Sequence, residues 1–128
     1  MNDRILDCTA WKEMLDREGL RTANASVGVL TKDDFAARHG ILLVWRGTDD
    51  GTSVSLRAYS GTFDPDLAIL LVVEPEALHE LVAAGLARAP QLARSGRMHP
   101  YMLMSLDNLE DAGLSDPVEA LGLVFPRH

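Results

Sequence analysis

Ile41-Leu42-Leu43-Val44-Trp45, then Asp49-Asp50-Gly51, then Ser53-Val54-Ser55-Leu56-Arg57-Ala58-Tyr59 has the pattern of a β-hairpin. The first segment is an apolar run with β-branched and aromatic content. The last alternates, with Val54, Leu56 and Ala58 on one face and Ser55, Arg57 and Tyr59 on the other. Between them Asp49-Asp50-Gly51 has turn chemistry, and Gly51 is free to take a positive φ. Strands joined so tightly pair antiparallel. One face of this hairpin is expected to be core, and the other wet or facing a partner.

Downstream, Thr62-Phe63-Asp64-Pro65-Asp66 breaks the chain. Leu67–Val73 is then a near-continuous apolar run, which suits a strand covered on both faces and lying inside the sheet. Glu74-Pro75-Glu76 opens a helix, since proline fits the first turn and acids favour its positive end. Leu78, Leu81, Val82, Gly85, Leu86 and Ala89 fall at helical spacing, and Pro90 is expected to end or bend that helix. Residues 91–99 read as a basic loop, 101–106 as a strand and 107–114 as a helical turn. A short helix at 118–121 and a last strand at 123–125 complete the reading.

Upstream, residues 9–18 form an amphipathic helix capped by Asp7 or Thr9, with Cys8, Trp11 and Leu15 on its apolar side. Residues 25–30 read as a short strand. Thr31-Lys32-Asp33-Asp34 resembles a capping box that starts a helix through Arg38, with Gly40 as its stop. The sum is α+β: a single domain, residues 1–128, with a mixed, mostly antiparallel sheet of about five or six strands and two main helices packed on one face. A strand–helix–strand unit leaves room for one parallel crossover.

Composition bounds the function. At 128 residues and 47 % apolar content the chain can bury a core without metal or disulfide. A formal charge of −7 argues against nucleic-acid binding by general charge. The longest apolar run has strand length, so no membrane segment is expected, and without a charged-then-apolar leader the expected location is cytoplasmic. The single cysteine excludes an intramolecular disulfide and Cys-rich zinc modules. Cys8 shares the face of Trp11 and Leu15 and reads as a core residue.

Motifs for chemistry are missing. His39, His79, His99 and His128 show no metal-ligand spacing, so no metal and no cofactor are expected. No nucleophile elbow, phosphate loop or calcium loop occurs. Asp33-Asp34, Asp49-Asp50 and Asp64-Pro65-Asp66 fall at turns, where aspartate bonds the local backbone. No catalytic residue is assigned.

Charge placement is the uneven feature. Residues 81–106 hold Arg88, Arg94, Arg97 and His99 without one Asp or Glu. Residues 107–119 hold Asp107, Glu110, Asp111, Asp116 and Glu119 without one Lys or Arg. Either the two segments neutralise each other, or the acidic run meets a basic partner, where complementary charge speeds encounter and selects the partner. Arg94, Arg97 and His99 form a candidate anion site.

Three function classes follow. The first is a non-catalytic protein-binding module, such as a small acidic bacterial immunity protein or antitoxin-like inhibitor masking a basic protein through Asp107, Glu110, Asp111, Asp116 and Glu119. A secretion chaperone fits the same features. The second is a small enzyme whose site gathers His99, Arg97, Arg94, Tyr59 and Asp64. The third is a ligand-sensing domain, with a homodimer through a sheet edge if the apolar strand 67–73 were to lie there.

Overall fold

Alternation and turn chemistry produce the expected hairpin in the computed structural model, which describes residues 7–18, 22–105, 108 and 111. Strand β2 (Gly40–Thr48) pairs antiparallel with β3 (Gly51–Tyr59) through the two-residue turn Asp49-Asp50. Strand β1 (Ser26–Thr31) pairs antiparallel with β2 and parallel with β4 (Leu67–Val73). Strand β5 (Met98–Met102) pairs antiparallel with β4. The sheet order is β3-β2-β1-β4-β5. The all-apolar β4 therefore lies inside the sheet, and every one of its residues is buried. That is the expected interior placement, so the condition for a dimer through residues 67–73 is not met.

Helix α1 (Cys8–Glu18) begins where the Asp7 carboxylate accepts from the Thr9 and Ala10 N–H groups at 3.0 and 3.3 Å. With α3 (Pro75–Ala84), the 3-10 turn Leu86–Arg88 and α4 (Ala89–Arg94), it covers one face. The core there joins Trp11, Leu15, Val29, Leu43, Ile69, Leu71, Leu78 and Leu81, and Trp11 stacks on Trp45 at 5.6 Å.

Four expectations need correction. The helix after Pro75 ends at Ala84, because Gly85 (φ 89°) turns out of it. Pro90 then sits in the first turn of α4 and starts a helix rather than ending one, since its missing N–H would have had no partner there. Residues 91–99 are accordingly helix, turn and strand rather than a basic loop. Tyr59, read on the wet face, is buried and stacks on Phe63 at 5.4 Å, while Leu56, read as core, is 49 % exposed. Alternation located the two faces but not how far each is covered.

Not all helices share one face. Helix α2 (Lys32–Ala37) lies on the other, where Phe35 and Phe63 pack against Leu30, Leu42, Val44, Tyr59, Leu67, Leu70 and Val72. Its cap is the expected one, with the Asp34 N–H donating to Thr31 Oγ1 at 3.2 Å. The Asp34 carboxylate does not close a capping box: it accepts from the Ile41 N–H at 3.2 Å. Arg38 (φ 57°), not Gly40, takes the left-handed stop. The readings at 118–121 and 123–125 lie outside the described residues; within 107–114, Asn108 and Asp111 are described and helical. Among the described residues, no helix is long and apolar enough to cross a membrane.

Candidate functional site

Two arginines of the basic segment, Arg88 and Arg97, pair with acids of their own surroundings. Helix α3 is preceded by Glu74 and carries Glu80, which face the chain returning through α4 to β5. Arg97 places Nη2 2.5 Å from Glu80 Oε2 and Nε 3.7 Å from Glu74 Oε1. Arg88 Nε lies 3.9 Å from Glu80 Oε1, and Arg88 Nη1 donates to Gln91 Oε1. Lys32 bridges from α2, donating to Glu74 Oε2 at 3.2 Å and to the Gly96 carbonyl at 2.8 Å. The hydrogen bond to Glu80 holds the Arg97 guanidinium above its ordinary pKa, against the opposing effect of desolvation.

The three residues of the candidate anion site have different surroundings. Arg97 is engaged by Glu74 and Glu80, and Arg94 is exposed at the end of α4. His99 is exposed on β5 opposite Val72, whose side chain joins the α2-side core. The intervening Ser95 donates to the Leu92 carbonyl at 3.1 Å and leaves no free hydroxyl proton for an anion. Of the acidic run, Asp111 is exposed and helical; Asp107, Glu110, Asp116 and Glu119 lie outside the described residues.

The gathering of His99, Arg97, Arg94, Tyr59 and Asp64 does not occur. Tyr59 is on β3 and His99 on β5, with three strands between them. At the usual strand spacing that is about 19 Å, too far for a shared reacting atom. Asp64 is bound to Arg57 instead. Among the described residues, no group of three His, Cys, Asp or Glu side chains forms a metal site. Cys8 is half-buried rather than core, and burial, then the neighbouring Asp7, raise its thiol pKa away from the nucleophilic form.

A polar concavity of ≈ 200 Å³ lies where α2 and Phe63 leave the sheet uncovered. Ser26, Arg46, Ser53, Ser55, Arg57 and Asp66 line it. Arg57 binds Asp66 through two parallel bonds, Nη1 to Oδ1 at 3.0 Å and Nη2 to Oδ2 at 2.8 Å, and Asp64 Oδ2 at 3.0 Å. That fork geometry lowers the Asp66 pKa and raises that of Arg57, in each case chiefly by the hydrogen bond and against desolvation. None of the lining residues is a histidine or cysteine. Asp66, the carboxylate of this lining, is committed to Arg57, so what the concavity presents is a set of serine hydroxyls beside a closed ion pair. Sequence reasoning placed Ser55 and Arg57 on a wet face but did not join Arg57 to the Asp64-Pro65-Asp66 break. The signal was two acids one short turn after an arginine-bearing strand.

No family model matches the chain, and no curated protein does.

Proposed function

We propose that the chain is a non-catalytic protein-binding module whose partner is a basic protein, engaged through the acidic run Asp107, Glu110, Asp111, Asp116 and Glu119. The observation that carries this reading is the engagement of Arg88 and Arg97 by Glu80 and Glu74. The simplest alternative was that the basic and acidic segments neutralise each other. Two of the three arginines of the basic segment have acidic partners in Glu74 and Glu80, which supports an acidic run with charge left for a partner. The overall charge of −7 acts in the same direction at longer range. An inhibitor of the immunity or antitoxin kind, bacterial and cytoplasmic, is the form of binding module that a small, acidic, motif-free chain suits best. It would cover the basic active surface of its target.

The test is capture from host lysate at low salt, identification of the captured protein, and titration of the two purified chains. Binding is expected to weaken as salt rises. Joint replacement of Glu110, Asp111, Asp116 and Glu119 by Gln or Asn is expected to reduce affinity at least tenfold, chiefly by slowing association. Unchanged affinity in that variant would overturn the reading.

A further inference from the structure

We infer that the exposed edge of β3 pairs with the same edge of a second copy of this chain, antiparallel about a two-fold axis at Leu56, to form a continuous sheet across a homodimer. The hairpin register sets which backbone groups of β3 face outward. The two-residue turn makes Thr48↔Gly51 the closing hydrogen-bonded pair, so Arg46↔Ser53, Val44↔Ser55 and Leu42↔Arg57 are bonded pairs as well. The residues between them, Thr52, Val54, Leu56 and Ala58, turn their N–H and C=O groups outward. Two hydrogen bonds agree with this parity. The Gly47 carbonyl, opposite Thr52, points away from β3 and accepts from Ala23 N–H at 3.0 Å. The outward groups of Thr52 are taken by α1: its N–H donates to Asp16 Oδ1 at 3.1 Å, and its carbonyl accepts from Lys12 Nζ at 3.0 Å.

Helix α1 thus closes the edge at Thr52 and stops there. Among the described residues, nothing pairs with the outward backbone groups of Val54, Leu56 and Ala58. Natural edges are usually blunted by charge, proline or a bulge. Here the outward-bonding positions are apolar, and Leu56 and its neighbour Ile41 are 49 % and 45 % exposed.

The occupant is argued from self-complementarity. With Leu56 opposite its own copy, Val54 faces Ala58 and Ser55 faces Arg57 of the second chain. Each outward N–H meets an outward C=O. Apolar side chains meet apolar ones on the helix-bearing face, and polar meet polar on the other. Arg57 is already neutralised by Asp64 and Asp66, so the two-fold brings no bare like charges together. The closed Thr52 falls opposite Ser60 of the second copy, just past the end of its strand, where no ladder bond is lost.

The test is the oligomeric state of the full chain by sedimentation, with cysteine cross-linking in a Cys8→Ser background. Wild type is expected to be a dimer that tightens as salt is added, because two chains of charge −7 repel. This is the opposite salt response from the complex with a basic partner, so the two readings fail separately. Leu56→Cys is expected to cross-link to itself under mild oxidation, since a bonded antiparallel pair sets Cα atoms about 5.5 Å apart, within disulfide range. Ser53→Cys, also exposed but facing position 59 of the second copy, is expected not to. Leu56→Lys and Leu56→Pro, which leave the β2–β3 ladder intact, are expected to be monomeric. A wild-type monomer from micromolar to millimolar concentration would overturn the inference. So would a dimer that survives Leu56→Lys with Leu56→Cys cross-linking no better than Ser53→Cys.

Discussion

On one face of the sheet β4 lies beneath α3, the 3-10 turn and α4, and Leu71 is sealed among Val29, Leu78 and Leu81. One residue earlier, Leu70 is buried on the other face under thinner cover: the six-residue α2, Phe63 and neighbouring side chains. Both leucines are almost wholly buried, at 0 % and 1 % exposure, yet the surroundings differ. Helices docked through several turns form a stiff lid. A short helix with no buried residue of its own and a loop phenylalanine form a yielding one. The same difference leaves room for the polar concavity, because the yielding cover stops short of Arg46, Ser53 and Ser55.

Truncating both leucines separates the two covers by the largest amount. Leu71→Ala is expected to cost about 3–5 kcal/mol, and Leu70→Ala about 2–3 kcal/mol, because the looser cover can collapse into the space left. Urea unfolding measures both. Equal or reversed costs would mean that the two covers are equally rigid.

Thr31→Ala removes the N-cap of α2 and is expected to cost about 1 kcal/mol. Hydrogen exchange should then quicken at α2 and at β5, whose Tyr101 stacks on Phe35 at 5.6 Å, while α1 and α3 keep their protection. Loss of protection on both faces together would remove the distinction.

Asp66→Asn weakens the fork to Arg57. Its side chain is 43 % exposed, so solvent screens the pair and the expected cost is about 0.5–1 kcal/mol at neutral pH. Its folded pKa is depressed, so this contribution is complete above the unfolded carboxylate pKa of about 4 and is lost as pH falls from there through the folded value. The stability gap between wild type and variant should therefore close in acid. A gap that persists below both values would show that the ion pair is not its source.

Lys12→Ala is the smallest change, since its ion pair with Asp16 is exposed and water can take over its bond to the Thr52 carbonyl. It bears on the β3 edge rather than on either face. Exchange at the Thr52 amide, still held by Asp16, should change little, which nitrogen-resolved exchange would check.

Much of this architecture was legible in residue patterns. The period-two alternation of 53–59, the turn at Asp49-Asp50 and the unbroken apolar run 67–73 are local, and local backbone chemistry reads them out directly. The Thr31 cap and the Asp7 cap are local as well. Coverage was not legible. Nothing near Leu56 in the chain records that α1 ends its contact at Thr52, and nothing near Tyr59 records that Phe63 folds back over it. Pro90 was read by its power to break a helix, whereas its role depended on Gly85 having broken the helix already.

The candidate sites divide in the same way. The acidic run and the absence of catalytic motifs are properties of the chain alone, as are the charge of −7 and the α+β class. The commitment of Arg97 to Glu80, the fork from Arg57 to Asp66 and the distance from Tyr59 to His99 belong to the tertiary structure. Strand order decided all three. A pattern of residues states which side chains share a face, because alternation is fixed by backbone geometry. It does not state which strands become neighbours, because that follows from packing the whole chain at once.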